Sequence, residues 1–220
     1  MGKLVVVEGL DGSGKATQVT MLAERLSGQG SNVRAVSFPD YGSPSSSLVK
    51  MYLAGDFGAS PASVGAYAAS SFYAVDRFAS FSKDWRTFYA DGGTVLADRY
   101  TTSNFIYQCA KLPLQKWDEF VEWLYDFEYC KLGIPCPDKV VYLDVEPEVS
   151  QLLLSERYAG SEEKKDIHER NLGYLMQCRT AALWCAEKFG WQVVCCSRNG
   201  AMRAREKIAD EIYATVWEDL

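Results

Sequence analysis

Nine consecutive residues near the start of the chain, Gly9-Leu10-Asp11-Gly12-Ser13-Gly14-Lys15-Ala16-Thr17, have the spacing G-x-x-x-x-G-K. The apolar run Leu4-Val5-Val6-Val7 precedes them, and Val19, Leu22 and Leu26 follow on one helix face. Between a strand and a helix, such a loop turns successive backbone N–H groups toward phosphate oxygens at the helix N-terminus, and the lysine reaches the β- and γ-phosphates. The alternative is a glycine-rich turn that merely joins two elements, a weaker match to G-x-x-x-x-G-K in this setting. Ala16 departs from the pattern, which wants Ser or Thr after the lysine to hold Mg²⁺, and Thr17 comes one residue late. A GTPase would carry a guanine-reading Asn-Lys-x-Asp after a later strand, and the sequence has none.

A second candidate group is Asp98-Arg99, just after Val95-Leu96-Ala97. In an open α/β sheet, ligands bind at the C-terminal ends of the strands. An arginine there suits transfer between polyanions, whereas the structural alternative is a buried ion pair tying the strand end to a helix. Tyr73 and Arg77 are four residues apart and so share a helix face. The chain has one histidine, His168, which excludes histidine pairs and three-histidine zinc sites and is expected on the surface or in packing. Asp166 and Glu169 have the spacing of a capping box that starts the following helix.

These groups need a scaffold. Short β-branched runs at 3–8, 33–38, 93–98, 139–145 and 191–196 alternate with 3.6-period stretches at 15–28, 44–54, 61–90, 115–131, 147–157, 166–189 and 201–218. That alternation predicts an α/β fold with a five-stranded parallel sheet flanked by helices, as one domain over 1–220. The stripe Val64, Tyr67, Ala68, Phe72, Val75, Phe78, Phe81, Trp85 and Phe88 is expected to be mostly core, and wide enough to cover a second subunit as well. The almost wholly polar segment 155–166 is expected to be a lid loop.

Lys plus Arg number 23 and Asp plus Glu 29, so the net charge is −6, which argues against an extended basic surface for nucleic acid. The longest uncharged stretch, Phe57 to Val75, contains four serines, two glycines and Pro61, a poor membrane span. The first apolar run is too short for a signal segment, and the seven cysteines lack C-x-x-C spacing, so a reducing cytoplasm is expected.

Read together, the loop 9–18, Phe38-Pro39-Asp40-Tyr41, Phe72-Tyr73-Ala74-Val75-Asp76-Arg77, Asp98-Arg99-Tyr100 with Ser103-Asn104 and Tyr107-Gln108, and Asp166-Ile167-His168-Glu169 resemble thymidylate (dTMP) kinases in order and spacing. The resemblance spans nearly the whole chain. It implies transfer of the γ-phosphate of ATP to dTMP, with Mg²⁺, by a cytoplasmic homodimer that binds neither nucleic acid nor membrane. It assigns catalysis to Lys15, Asp98 and Arg99, and ATP to residues Gly9 to Thr17. Asp11 would contact the 3′-hydroxyl or the metal through water, Tyr73 would stack on the base, and Arg77 would read its edge. Asn104 would bond the pyrimidine and Tyr107 would crowd the 2′ position, with Phe38, Tyr41, Gln108 and Arg99 also at the acceptor. Asp11, Asp98 and Glu169 are the implied metal carboxylates.

Two positions depart from the family. The arginine that many members carry near Phe-Pro is absent, with Lys50 as a substitute, and the P-loop has Gly12 where a catalytic arginine can stand. A lid-borne cation is then implied, from among Arg157, Lys164, Lys165 and Arg170. Two other readings remain open: a kinase for dUMP, UMP, CMP or a deoxynucleoside, and a low-turnover nucleotide-binding module.

Overall fold

Leu4 to Val7 have no solvent exposure, so both faces of their strand are covered, as a central strand of a parallel sheet requires. In the computed structural model, which describes residues 1–157 and 166–217, this strand is β1 (Lys3–Gly9). It pairs in parallel with β3 (Thr94–Asp98) on one side and β4 (Lys139–Asp144) on the other. β2 (Val33–Ser37) pairs with β3, and β5 (Gln192–Cys195) with β4, giving the order β2-β3-β1-β4-β5. The five expected strands are all present, each within two residues of its expected ends.

Alternation along β1 divides the core. Val5 and Val7 face α1 (Lys15–Gly28) and α9 (Arg205–Trp217), packing with Val19, Leu22, Leu26, Ile208 and Ile212. Leu4 and Val6 face the other layer, formed by α3 (Ala66–Ser80), α5 (Thr101–Cys109), α6 (Trp117–Tyr125) and α8 (Leu172–Phe189). After β1 the chain crosses to the β2 edge, whereas after β3 it crosses to β4 on the far side. The reversal opens a crevice at the C-terminal ends of β1 and β3, where the P-loop and Asp98-Arg99 emerge.

Several long helices differ from expectation. The segment 61–90 is a short 3₁₀ turn at Pro61–Ser63, then α3, a π-helical stretch Phe81–Trp85, and the short α4 (Arg86–Ala90). In the widened π turn Trp85 is fully buried against Phe81, Tyr89 and Tyr100, whereas on α3 before it Tyr67, Val75 and Phe78 remain about two-fifths exposed. The stripe is therefore only partly core. Likewise, α6 runs on into a second π stretch, Asp126–Lys131, which turns Glu128 fully inward.

The helix expected from 166 begins at Leu172, capped by the Asn171 side chain accepting from the Tyr174 N–H at 3.0 Å. The Asp166–Glu169 box does form: Asp166 Oδ1 accepts from the His168 and Glu169 amides, and Glu169 Oε2 accepts from the Asp166 amide. It closes one turn ahead of the helix. The remaining helices are α2 (Ser47–Ala54) and α7 (Pro147–Arg157). A small hairpin, β6 (Ser197–Arg198) with β7 (Ala201–Met202), was not expected. Most of the expected lid loop, including Lys164 and Lys165, lies outside the described residues.

Candidate active site

The P-loop conformation depends on its glycines. Gly14 caps α1 at φ 87°, a left-handed conformation that glycine adopts without strain. At Gly9 a side chain would be blocked, since a Cβ there would lie 2.4 Å from Ser13 Oγ. Lys15 is buried beneath the loop, and its Nζ donates to the Leu10 carbonyl at 2.8 Å. Burial, reinforced by the nearby Arg99 charge, lowers its pKa to about 8. Ser13 Oγ is buried without a partner in the same loop. Ala16 and Thr17 are exposed on the wall of a cleft of about 1000 Å³, a volume at the top of the range for ligand sites.

Arg99 stands at the junction of this cleft with a second, smaller pocket. Its backbone is held at φ 67°, unusual for a non-glycine residue, and strain of this kind clusters at functional sites. Its Nη2 pairs with Asp11 Oδ1, and its Nη1 donates to Tyr107 Oη at 3.3 Å. Tyr107 in turn donates to Asp11 Oδ2 at 3.1 Å. Burial alone would raise the Asp11 pKa, but Arg99 and Lys15 outweigh it and hold it at about 2. Beneath the turn lies Glu8, fully buried, accepting from the Tyr100 amide, Thr102 Oγ1 and Ser103 Oγ. Sequence reading missed Glu8; its only signal was a carboxylate inside an otherwise apolar strand.

The smaller pocket is lined by Tyr73, Arg77, Asn104, Tyr107 and Gln108, with Phe38 and Tyr41 on the side toward the cleft. Arg77 does not project as a lone cation. Its Nε and Nη2 grip Glu128 at 2.7 and 2.5 Å, and Nη1 donates to the Tyr100 carbonyl. Three of five N–H donors are thus committed, leaving two for anything that enters. Asn104 Nδ2 is also engaged, by the Ser70 carbonyl and Glu128 Oε1. Both amide atoms of Gln108 are buried without partners, a donor and an acceptor held ready together. Asp76, beside Arg77 in the sequence, accepts from the Asp40 amide at 2.8 Å and from Ser45 Oγ, tying the Phe38–Tyr41 segment to α3.

Other expected residues are placed less directly. Lys50 is exposed on the cleft wall beside Phe38 and Tyr41. Arg170 lines the cleft, whereas the Arg157 side chain is outside the described residues. Asp11, Asp98 and Glu169 line the cleft, but among the described residues no three His, Cys, Asp or Glu groups converge as a metal cage. Both Asp11 oxygens are taken up by Arg99 and Tyr107, and Glu169 Oε2 by the Asp166 amide. Asp98 Oδ1, by contrast, is buried with no partner. His168 is in the wall of the smaller pocket, buried rather than on the surface.

A family model for thymidylate kinase matches residues 7–208. The chain is 32% identical over 187 residues to a thymidylate kinase of Mycobacterium tuberculosis, covering 82% of this chain and 83% of that one. It is 31% identical over 196 residues to one of Caenorhabditis elegans, covering 83% and 81%. The solved thymidylate kinase of Candida albicans shares the fold, with a TM-score of 0.69 at 19% identity over 99% of this chain and 92% of that one. On the match over residues 7–208 and the identity to these relatives, the chain belongs to the thymidylate kinase family.

Proposed function

We propose that the chain catalyses ATP + dTMP → ADP + dTDP in this cleft, with the ATP phosphates on the loop Gly9 to Thr17 and dTMP in the pocket of Tyr73, Arg77, Asn104, Tyr107 and Gln108. The observation that carries the reading is the Asp11–Arg99–Tyr107 cluster, which joins the phosphate loop to the smaller pocket. A cation at that junction meets the charge that accumulates as the phosphoryl group moves between two polyanions. Lys15, bonded to the Leu10 carbonyl, exchanges that partner for a phosphate oxygen. Asp11 already holds the Arg99 guanidinium in orientation at this junction. Tyr73 offers a ring face to the base, and the free edge of Gln108 offers both a donor and an acceptor.

Bound Mg²⁺ would supply positive charge to the transferring phosphates. Asp98 fits it best, because its buried Oδ1 is unpartnered and a hard cation of this kind takes one or two carboxylates with phosphate and water as its other ligands. Seven unpaired thiols support a reducing, cytoplasmic location, and among the described residues no helix is long and apolar enough to cross a membrane. Exposed Tyr67, Val75 and Phe78 support pairing of two copies through α3, which sedimentation at micromolar protein tests.

Coupled ADP release with ATP, Mg²⁺ and a panel of dTMP, dUMP, UMP, CMP and deoxynucleosides tests the reaction. Turnover with dTMP well above the rest is expected. ATP binding without acceptor-dependent ADP would point to the nucleotide-binding module instead.

A further inference from the structure

The one histidine of the chain is tied into a hydrogen-bonded chain that no step above employs. His168 Nε2 lies 2.8 Å from Tyr52 Oη, and the Lys111 ammonium donates to that same oxygen at 2.8 Å and to the Val64 carbonyl at 3.1 Å. The three residues come from the turn before α8, from α2 and from the turn that follows α5, so the contact ties together three segments whose neighbouring residues His168, Leu53 and Gln108 line the smaller pocket.

The donors can be assigned by counting. Burial lowers the Lys111 pKa to about 7; in its ammonium form it has protons and no lone pair, so Tyr52 Oη accepts from it. The phenol proton then goes to the nearer acceptor, His168 Nε2 at 2.8 Å rather than the Pro61 carbonyl at 3.2 Å. Nε2 is therefore the acceptor, and the ring proton is on Nδ1. Burial pushes the imidazole pKa down to about 3, in keeping with a neutral ring.

The far side of the relay is Tyr107. The imidazole is stacked on the Tyr107 ring, 16° from parallel with centroids 5.5 Å apart, and Tyr174 of α8 donates to the Tyr107 carbonyl. Tyr107 Oη is the group that meets both Asp11 and Arg99. A ring fastened on one face by His168 and at its hydroxyl by Asp11 has little freedom to yield to a bulkier sugar.

We propose that Lys111, Tyr52 and His168 form a positioning relay that holds the Tyr107 ring in place and thereby sharpens the pocket's preference for a deoxyribose over a ribose acceptor. The relay rests on the reading of this pocket as the acceptor site. Tyr52 and Lys111 touch no ligand in this scheme and act through His168 and Tyr107.

The test is Tyr52→Phe, which removes one hydroxyl and keeps the ring, with Lys111→Met and the double variant, alongside Tyr107→Ala. The measurements are KM for dTMP, KM for ATP, and the ratio of kcat/KM for dTMP to that for the ribose counterpart, ribothymidine monophosphate. Tyr52→Phe and Lys111→Met are each expected to lower that ratio by about tenfold, at the scale of one lost buried hydrogen bond, while KM for ATP holds. The double variant should fall no further than either alone, because both cut the same chain. A Tyr52→Phe enzyme with a lowered melting temperature but an unchanged ratio would overturn the relay and leave a purely structural bond. If Tyr107→Ala also leaves the ratio and the dTMP KM unchanged, the acceptor-pocket reading fails as well; if Tyr107→Ala moves them and Tyr52→Phe does not, only the relay fails.

Discussion

Replacing Glu128 by glutamine should damage the enzyme twice, in stability and in acceptor binding. Glu128 and Arg77 are both essentially inaccessible, at 0% and 1% side-chain exposure, and are joined through two nitrogens. Removing one charge of such a pair strands the other in a medium that solvates it poorly, at a cost of about 3–5 kcal/mol. For a chain of this size 1 kcal/mol moves Tm by about 2–4 °C, so Glu128→Gln should melt about 6–20 °C lower. Its oxygens also orient Arg77 and Asn104, so KM for dTMP should rise at least several-fold while KM for ATP stays near the parent value. Thermal unfolding followed by circular dichroism, with steady-state kinetics below the new Tm, measures both. A second variant separates the effects: Arg77→Met with Glu128→Leu replaces the pair by apolar groups and should recover most of the lost stability without restoring dTMP binding. A Glu128→Gln protein melting within about 1 °C of the parent, with dTMP KM unmoved, would refute the account of the pair.

Other expectations follow from the same geometry. Lys15→Ala should lower kcat/KM by about 10²–10³-fold in the coupled ADP assay, and retained activity would remove Lys15 from the phosphates. Asp98→Asn keeps the shape of the side chain and removes its charge, so the Mg²⁺ concentration for half-maximal rate should rise; an unchanged Mg²⁺ titration would place the ion elsewhere. His168 has a folded-state pKa of about 3 against 6.5 when unfolded, so the unfolded chain binds the extra proton between those values. Its contribution to stability therefore declines as pH falls through 6.5, by about 2 kcal/mol at pH 5. Asp166, pushed up to about 7 chiefly by burial, pulls the other way, since the folded state binds its proton first. The difference in denaturant stability between parent and His168→Phe isolates the imidazole: the parent's advantage at pH 7 should shrink by about 2 kcal/mol at pH 5, and a constant gap would contradict the buried neutral ring.

The sheet and the phosphate loop were legible in the residues because each is a local code. A β-branched run of inaccessible length, glycines where left-handed or crowded backbone is needed, and a lysine at fixed spacing state their structure within about ten residues, and the predicted strands match the observed ones. Long-range register was not so encoded. Nothing near Arg77 announces Glu128, which lies 51 positions away and reaches it only because a π turn rotates it inward, a break that 3.6-residue periodicity cannot register. The Asp166–Glu169 box was correctly read as reciprocal bonding and wrongly read as the start of a helix, because Asn171 offered a second cap five residues on. His168 shows the limit most plainly. As a lone histidine on a polar stretch it had no partner in sequence, and only the packing of α2, α5 and the turn before α8 brings Tyr52, Lys111 and Tyr107 around it. The sequence alone determined which chemistry the chain can carry, since residue type and short spacing specify phosphate binding. Tertiary structure decided which side chains are already committed to one another and which remain for substrate, because burial and distance exist only once separate segments meet.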